Sequence, residues 1–254
     1  MKKNIYLGID FSVKKPGICI LCLEDNQKDM KDGKFIFLSE IAEDAPTKAE
    51  RELMKKATCD DLHFNFNKHI KPSAKPSQTE LNRIHITQSK LLSMTYMSDI
   101  NELIGKLIEG DDYEITIISE GLSFGSSGCA MLDLASYRQV FLNDLLYDFG
   151  KPKYENFYVY SPVTVKSVNG VNKKKDIENK SKTPMIDKFK QENIDCTFHK
   201  LLCEGVFNKK DKKGVTQTDK YVTGIDDLVD AYFMIKTYFL KDFHNDETSA
   251  KLKL

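Results

Sequence analysis

Short apolar runs punctuated by turns open the chain. "NIYLGI" at 4–9 and the run at 16–23 are rich in Ile and Leu, and the "SVKKPG" between them carries the Pro and Gly of a hairpin. "KFIFLSEI" at 34–41 follows a "KDGK" turn and supplies a third strand, so the opening reads as an antiparallel meander. From 46 to 85 the pattern dissolves into polar sequence, including "KHIKPSAKPSQTE" with its two prolines, which reads as a loop or mobile insertion. Helical periodicity returns over 86–109, where Ile86, Leu91, Leu92, Met94, Met97, Ile100, Leu103 and Ile104 recur at helical spacing. "EITIISE" at 114–120 is a β-branched strand after a "GDD" break. The pattern then predicts a helix over 129–148, stopped by Gly150 and Pro152, and a fifth strand, "NFYVYSP" at 156–162, ended by Pro162. Beyond it lie one helix over 183–193 with Pro184 in its first turn, and a strongly amphipathic closing helix over 225–241. No internal repeat is visible.

Strands interleaved with helices in this order make an α/β fold, a mixed five-stranded sheet flanked by helices. The crevice of such a sheet lies beyond the carboxyl ends of its strands. Two predicted strands end there on acids, Asp10 and Glu120. A charged carboxylate beside buried backbone is costly unless something positive or protic compensates it.

Composition narrows the class. A chain of 254 residues can bury a substantial core, and it is read as one domain over 1–254 with insertions at about 42–85 and 194–222. There is no long uncharged apolar stretch and no cleavable apolar leader, so the expectation is a soluble, cytoplasmic protein without a membrane partner. Six cysteines at irregular positions do not resemble a secreted disulfide framework. Net charge is zero, yet residues 151–220 hold 16 Lys against 9 Asp plus Glu, so one part of the chain is basic and the rest acidic. Arginine occurs only at 51, 83 and 138.

The closing helix supplies partners for the two strand-end acids. Asp227 and Asp230 are three residues apart and share a helical face, with Asp226 offset from it. A lone pair of this kind at a helix start is ordinarily compensated by the dipole and the exposed amides. Four carboxylates at one crevice would instead require cations, and hard oxygen ligands suit Mg²⁺ or Mn²⁺. Two such ions about 4 Å apart can clamp the attacking and leaving oxygens of a phosphoryl displacement.

The segments "YLGIDFS", "IISEGLSFGSSGCAMLDLASYRQVF", "SPVTVKSVNG", "NKSKTPMIDKF" and "DDLVDAYFMI" fall in the order of the signatures of the RuvC family of Holliday junction resolvases, and over 4–24 and 86–241 the chain resembles that family. It looks like one of the enlarged, lysine-rich bacteriophage members. The resemblance implies an RNase H-like fold, with an antiparallel meander followed by parallel strands. It further implies a homodimer acting on branched DNA such as a Holliday junction, using two Mg²⁺ or Mn²⁺ ions per site. By the same resemblance Asp10, Glu120, Asp227 and Asp230 would be the catalytic, metal-binding acids, with Lys182 beside the scissile phosphate. Lys166, like Lys182, matches a lysine that contacts the scissile phosphate region in that family, and Arg138, Lys173 and Lys174 are further candidate substrate-binding residues. Leu122 or Phe124 would be the wedge that enters a junction, although core packing is the plainer role for Phe124. The sequence departs from the family in lacking Pro-Gly directly after Asp10 and in its longer 42–85 and 194–222 segments.

Other constellations are weaker. Cys19 and Cys22 fall on opposite faces of a strand, which disfavours a shared metal. Cys196, His199 and Cys203, and Cys59, His63 and His69, have spacings a zinc site could use but no paired-Cys knuckle. "GLSFGSSG" lacks the GK[ST] ending of a phosphate loop. Alternative readings are an RNase H-like nuclease for RNA–DNA hybrids or flaps, and a non-catalytic nucleic-acid-binding protein that uses the basic 163–220 segment. An actin-like ATPase ranks last, because no Gly-Gly pair is present for a second phosphate loop.

Overall fold

A computed structural model describes residues 2–121, 129–149, 156–171, 183–211 and 213–243, with backbone alone at 129–133 and 183. The meander is formed by β1 (Lys3–Asp10), β2 (Gly17–Glu24) and β3 (Lys34–Ala42), and β1 pairs in parallel with β5 (Tyr113–Glu120), which pairs in parallel with β6 (Phe157–Tyr160). An antiparallel meander followed by parallel strands is the arrangement expected from the sequence.

Among the described residues the sheet has six strands, not five. β4 (Leu62–Asn67) extends it beyond β3 in the order β4-β3-β2-β1-β5-β6. The 46–85 stretch is therefore not simply a loop. It contains α1 (Lys48–Ala57), closed at its start by a reciprocal Thr47–Glu50 capping box, and β4, whose Leu62 and Phe64 are buried. Its polar Asn65 and Asn67 hid the strand, because they serve a buried acid, Glu40 of β3.

Alternation along the strands sorts side chains between two layers. Ile5, Leu7, Ile9, Ile18, Ile20, Leu38 and Ile117 pack against α2 (Gln78–Ile108) and α3 (Cys129–Asp148). α2 begins earlier than its apolar periodicity, capped by Ser77. Contacts from Lys90 and Ser93 to Asp144, and from His85 to Ser136, join α2 to α3. The opposite face carries Tyr6, Cys19, Leu21, Phe35, Phe37 and Ile118 and is covered mainly by α7 (Ile225–Lys241). Cys19 and Cys22 do lie on opposite faces.

Around α7 pack three short helices, α4 (Pro162–Val168), α5 (Thr183–Lys190) and α6 (Thr197–Cys203). Pro162 starts α4 rather than ending a strand, because Ser161 caps the Thr164 amide and Pro suits the first helical position. The 194–222 stretch contributes α6 and a small antiparallel pair, β7 (Asn208–Lys210) and β8 (Thr216–Tyr221). Among the described residues, no helix is long and apolar enough to cross a membrane.

Candidate active site

Register and parity bring the strand-end acids together. Ile9 of β1 pairs with Ser119 of β5, so the next step along both strands sets Asp10 beside Glu120. Tyr6 and Ile118, of the same parity as the acids, belong to the α7 layer, which places Asp10 and Glu120 on that face.

Two glycines and an alanine let α7 settle directly on the strands. A Cβ on Gly8 would stand 2.2 Å from the Ala231 carbonyl oxygen, and one on Gly17 would stand 2.2 Å from the Asp227 carbonyl carbon and oxygen. Gly17 is the register partner of Asp10. The first two turns of α7 thus rest against the end of β1, with Asp227 and Asp230 over Asp10. The resulting pocket, about 270 Å³, is lined by all four acids and by Lys166, with Met185 and Met234 among its apolar walls.

Burial first, then the charges of Asp227, Asp230 and Glu120, and a hydrogen bond with Glu120, push the Asp10 carboxyl well above the ordinary carboxylate range. Asp10 and Asp227 are buried, whereas Glu120 and Asp230 are half-buried. Asp227 lies in the first turn of α7, where the helix dipole favours negative charge. Further compensation comes from Lys15 in the β1–β2 turn, whose ammonium lies 3.0 Å from Asp227 Oδ2 and 3.1 Å from Asp226 Oδ1.

Supporting contacts fix both margins of the pocket. Arg138 of α3 donates from Nη2 to the Glu120 carbonyl oxygen at 2.6 Å and to Ser119 Oγ at 3.2 Å, pinning the end of β5. The Gly121 amide donates to the Tyr160 carbonyl at 2.7 Å. On the other side the buried Asn169, just after α4, donates to Thr237 Oγ1 of α7 at 3.0 Å, so α4 is held against the acid-bearing helix. Lys166 stands exposed on α4 at the pocket.

A set of four carboxylates around one pocket is the donor chemistry of a hard divalent cation. As the side chains stand, no group of three or more His, Cys, Asp or Glu among the described residues closes around a metal position. Asp10 is instead hydrogen-bonded with Glu120, and Asp227 is engaged by Lys15.

Of the other residues singled out in the sequence, Leu122, Phe124, Lys173, Lys174 and Lys182 lie outside the described residues. Cys196 is buried and caps α6 through the His199 amide, while Cys203 Sγ contacts His199 Nε2 at 3.7 Å. Cys59 donates to Asp61, and His63 meets the Asp60 carbonyl. Sequence reasoning missed Lys15, Gly8, Gly17 and Asn169. The first three were legible in principle, as glycines inside apolar strands and a lysine five residues after the strand-end acid.

No protein-family model and no curated protein sequence matches the chain. Among solved structures, the RuvC structure of Thermus thermophilus is similar at 12% sequence identity and a TM-score of 0.37, over 92% of this chain and 94% of that one.

Proposed function

We propose that the protein is a metal-dependent, structure-selective endodeoxyribonuclease that nicks four-way or otherwise branched DNA by phosphodiester hydrolysis. The observation that carries this reading is the shared pocket of Asp10, Glu120, Asp227 and Asp230. Mg²⁺ or Mn²⁺, two ions per site, would be held by these four carboxylates. Bound there, the cations would supply a nucleophilic water at neutral pH and neutralise charge on the scissile phosphate.

The chain's own residues have separate tasks in this scheme. Asp10, central among the acids, would be one of the carboxylates that hold the cation. Asp227 and Asp230, one helical turn apart, present their carboxylates from one rigid face. Lys166 offers a positive charge at the pocket, where a phosphate would sit. Lys182, Lys173 and Lys174 extend that role through the basic segment, and Leu122 or Phe124 would part the bases at a junction.

Symmetrical cutting of a four-way junction needs two sites, and so a homodimer. The exposed apolar side chains Ile86, Leu91 and Met94 on α2 and Tyr147 on α3 support association through that layer. Sedimentation at micromolar concentration should give a dimer, and a strict monomer would exclude paired incision.

The test is a cleavage panel of four-way junction, flap, RNA–DNA hybrid and plain duplex in Mg²⁺ and in Mn²⁺. Divalent-dependent nicking of the junction in preference to the others is expected. Preferred cutting of the hybrid or flap would reassign the substrate. Binding without cutting in either ion would leave only a nucleic-acid-binding role.

A further inference from the structure

Asp227 is the most buried acid of the pocket on the α7 side, yet a permanent positive charge already stands against it. The β1–β2 turn delivers that charge. The Lys15 amide donates to Ser12 Oγ at 3.1 Å, and Pro16 and Gly17 follow, with Gly17 seated on the Asp227 carbonyl. The base of the Lys15 side chain is therefore fixed beside the first turn of α7. Its ammonium lies 3.0 Å from Asp227 Oδ2 and hydrogen-bonds both oxygens of Asp226, at 3.1 and 3.3 Å.

The burial of the partners decides what this contact does. An exposed Lys–Asp pair contributes little, because water and salt screen it. Here the Asp227 side chain is 4% exposed and that of Lys15 30%, so the charge on Asp227 is compensated mainly by what touches it. A dication approaching the same carboxylate meets an ammonium about 3 Å from the oxygen it needs, in surroundings less screening than water. Asp226, with a 19% exposed side chain, holds the lysine by its hydrogen bonds whether or not Asp227 is shared.

We propose that Lys15 is a tethered counter-cation that competes with the divalent ion for Asp227, withdrawing onto Asp226 when the ion binds. The inference rests on the metal-dependent reading of the pocket. It makes Lys15 a positioning residue. It holds Asp227 in place while no ion is bound, and it sets how much divalent ion the site demands.

Mn²⁺ binding by calorimetry, without DNA, tests this on the full chain. Lys15→Gln removes the competitor, so its Mn²⁺ affinity should rise about fivefold to tenfold over the unsubstituted protein, while Lys15→Arg stays close to it. Unchanged or weaker affinity in Lys15→Gln, with circular dichroism showing it folded, overturns the proposal. In the unsubstituted protein the Lys15 side-chain amine signal in lysine-labelled NMR should shift on Mg²⁺ saturation, and a signal that does not move counts equally against it. Tight Mn²⁺ binding that Lys15→Gln leaves unchanged defeats the counter-cation role alone. Absence of Mn²⁺ binding in every protein defeats the metal reading itself, and the inference with it.

Discussion

At the scale of single residues, the acids of the pocket differ in what surrounds them: Lys15 stands against Asp226 and Asp227, whereas Asp10 meets burial and like charge. Asp10 sits at the buried end of β1, where burial and the charges of Asp227, Asp230 and Glu120 all disfavour its ionised form and push its carboxyl up. Asp10→Asn keeps the shape and removes the charge, so nicking should fall on the order of 10³-fold with junction binding retained, read by cleavage rate and by gel shift. Equal loss of binding and cutting would indicate a structural role instead. A second buried acid, Glu40, does not line the pocket. Burial, then a hydrogen bond with Asp99 and the charge of Asp99, push its carboxyl up to about 8, against the lowering effect of Asn65 and Asn67. The folded chain thus keeps a proton that the unfolded chain loses near 4.5. Stability from this group is full below that pH and is lost as pH rises towards about 8, with Asp10 adding a slope of the same sign. Glu40→Gln, a neutral side chain of the same shape that can still accept from one of the two Asn amides, should flatten the fall in urea midpoint between pH 5 and pH 8. An unchanged slope would remove Glu40 from the account.

At the scale of elements, the site depends on how closely α7 lies on β1 and β2. Gly17→Ala puts a methyl into the Asp227 carbonyl, so the first turn of α7 must shift. Chemical denaturation should show a loss of about 1–3 kcal/mol, and nicking should drop with it. Full activity and stability would mean that the close approach is dispensable. The boundaries of α7 and the strands were legible because their apolar periods are long and unambiguous, as in "DDLVDAYFMIKTYF". β4 was not, because its alternate positions are Asn side chains that serve Glu40, and nothing in local sequence reveals a buried acid 25 residues earlier. α4 was hidden by reading Pro162 as a stop when Ser161 makes it a start.

At the scale of the whole molecule, one sheet organises two unlike layers. The α2–α3 side packs an apolar core on the sheet, and the α7 side carries the four-acid pocket at the carboxyl ends of β1 and β5. The convergence of the four acids was readable as an expectation, because strand ends and helix starts of an α/β fold share one rim. Its exact closure was not, since Gly8, Gly17 and Asn169 matter only through contacts made across the sheet and between helices. The most direct measurement is an anomalous difference map from crystals soaked in Mn²⁺. Density enclosed by Asp10, Glu120, Asp227 and Asp230 is expected, and it should disappear in Asp10→Asn. Mn²⁺ bound only elsewhere on the molecule, with this pocket empty at saturating concentration, would contradict it.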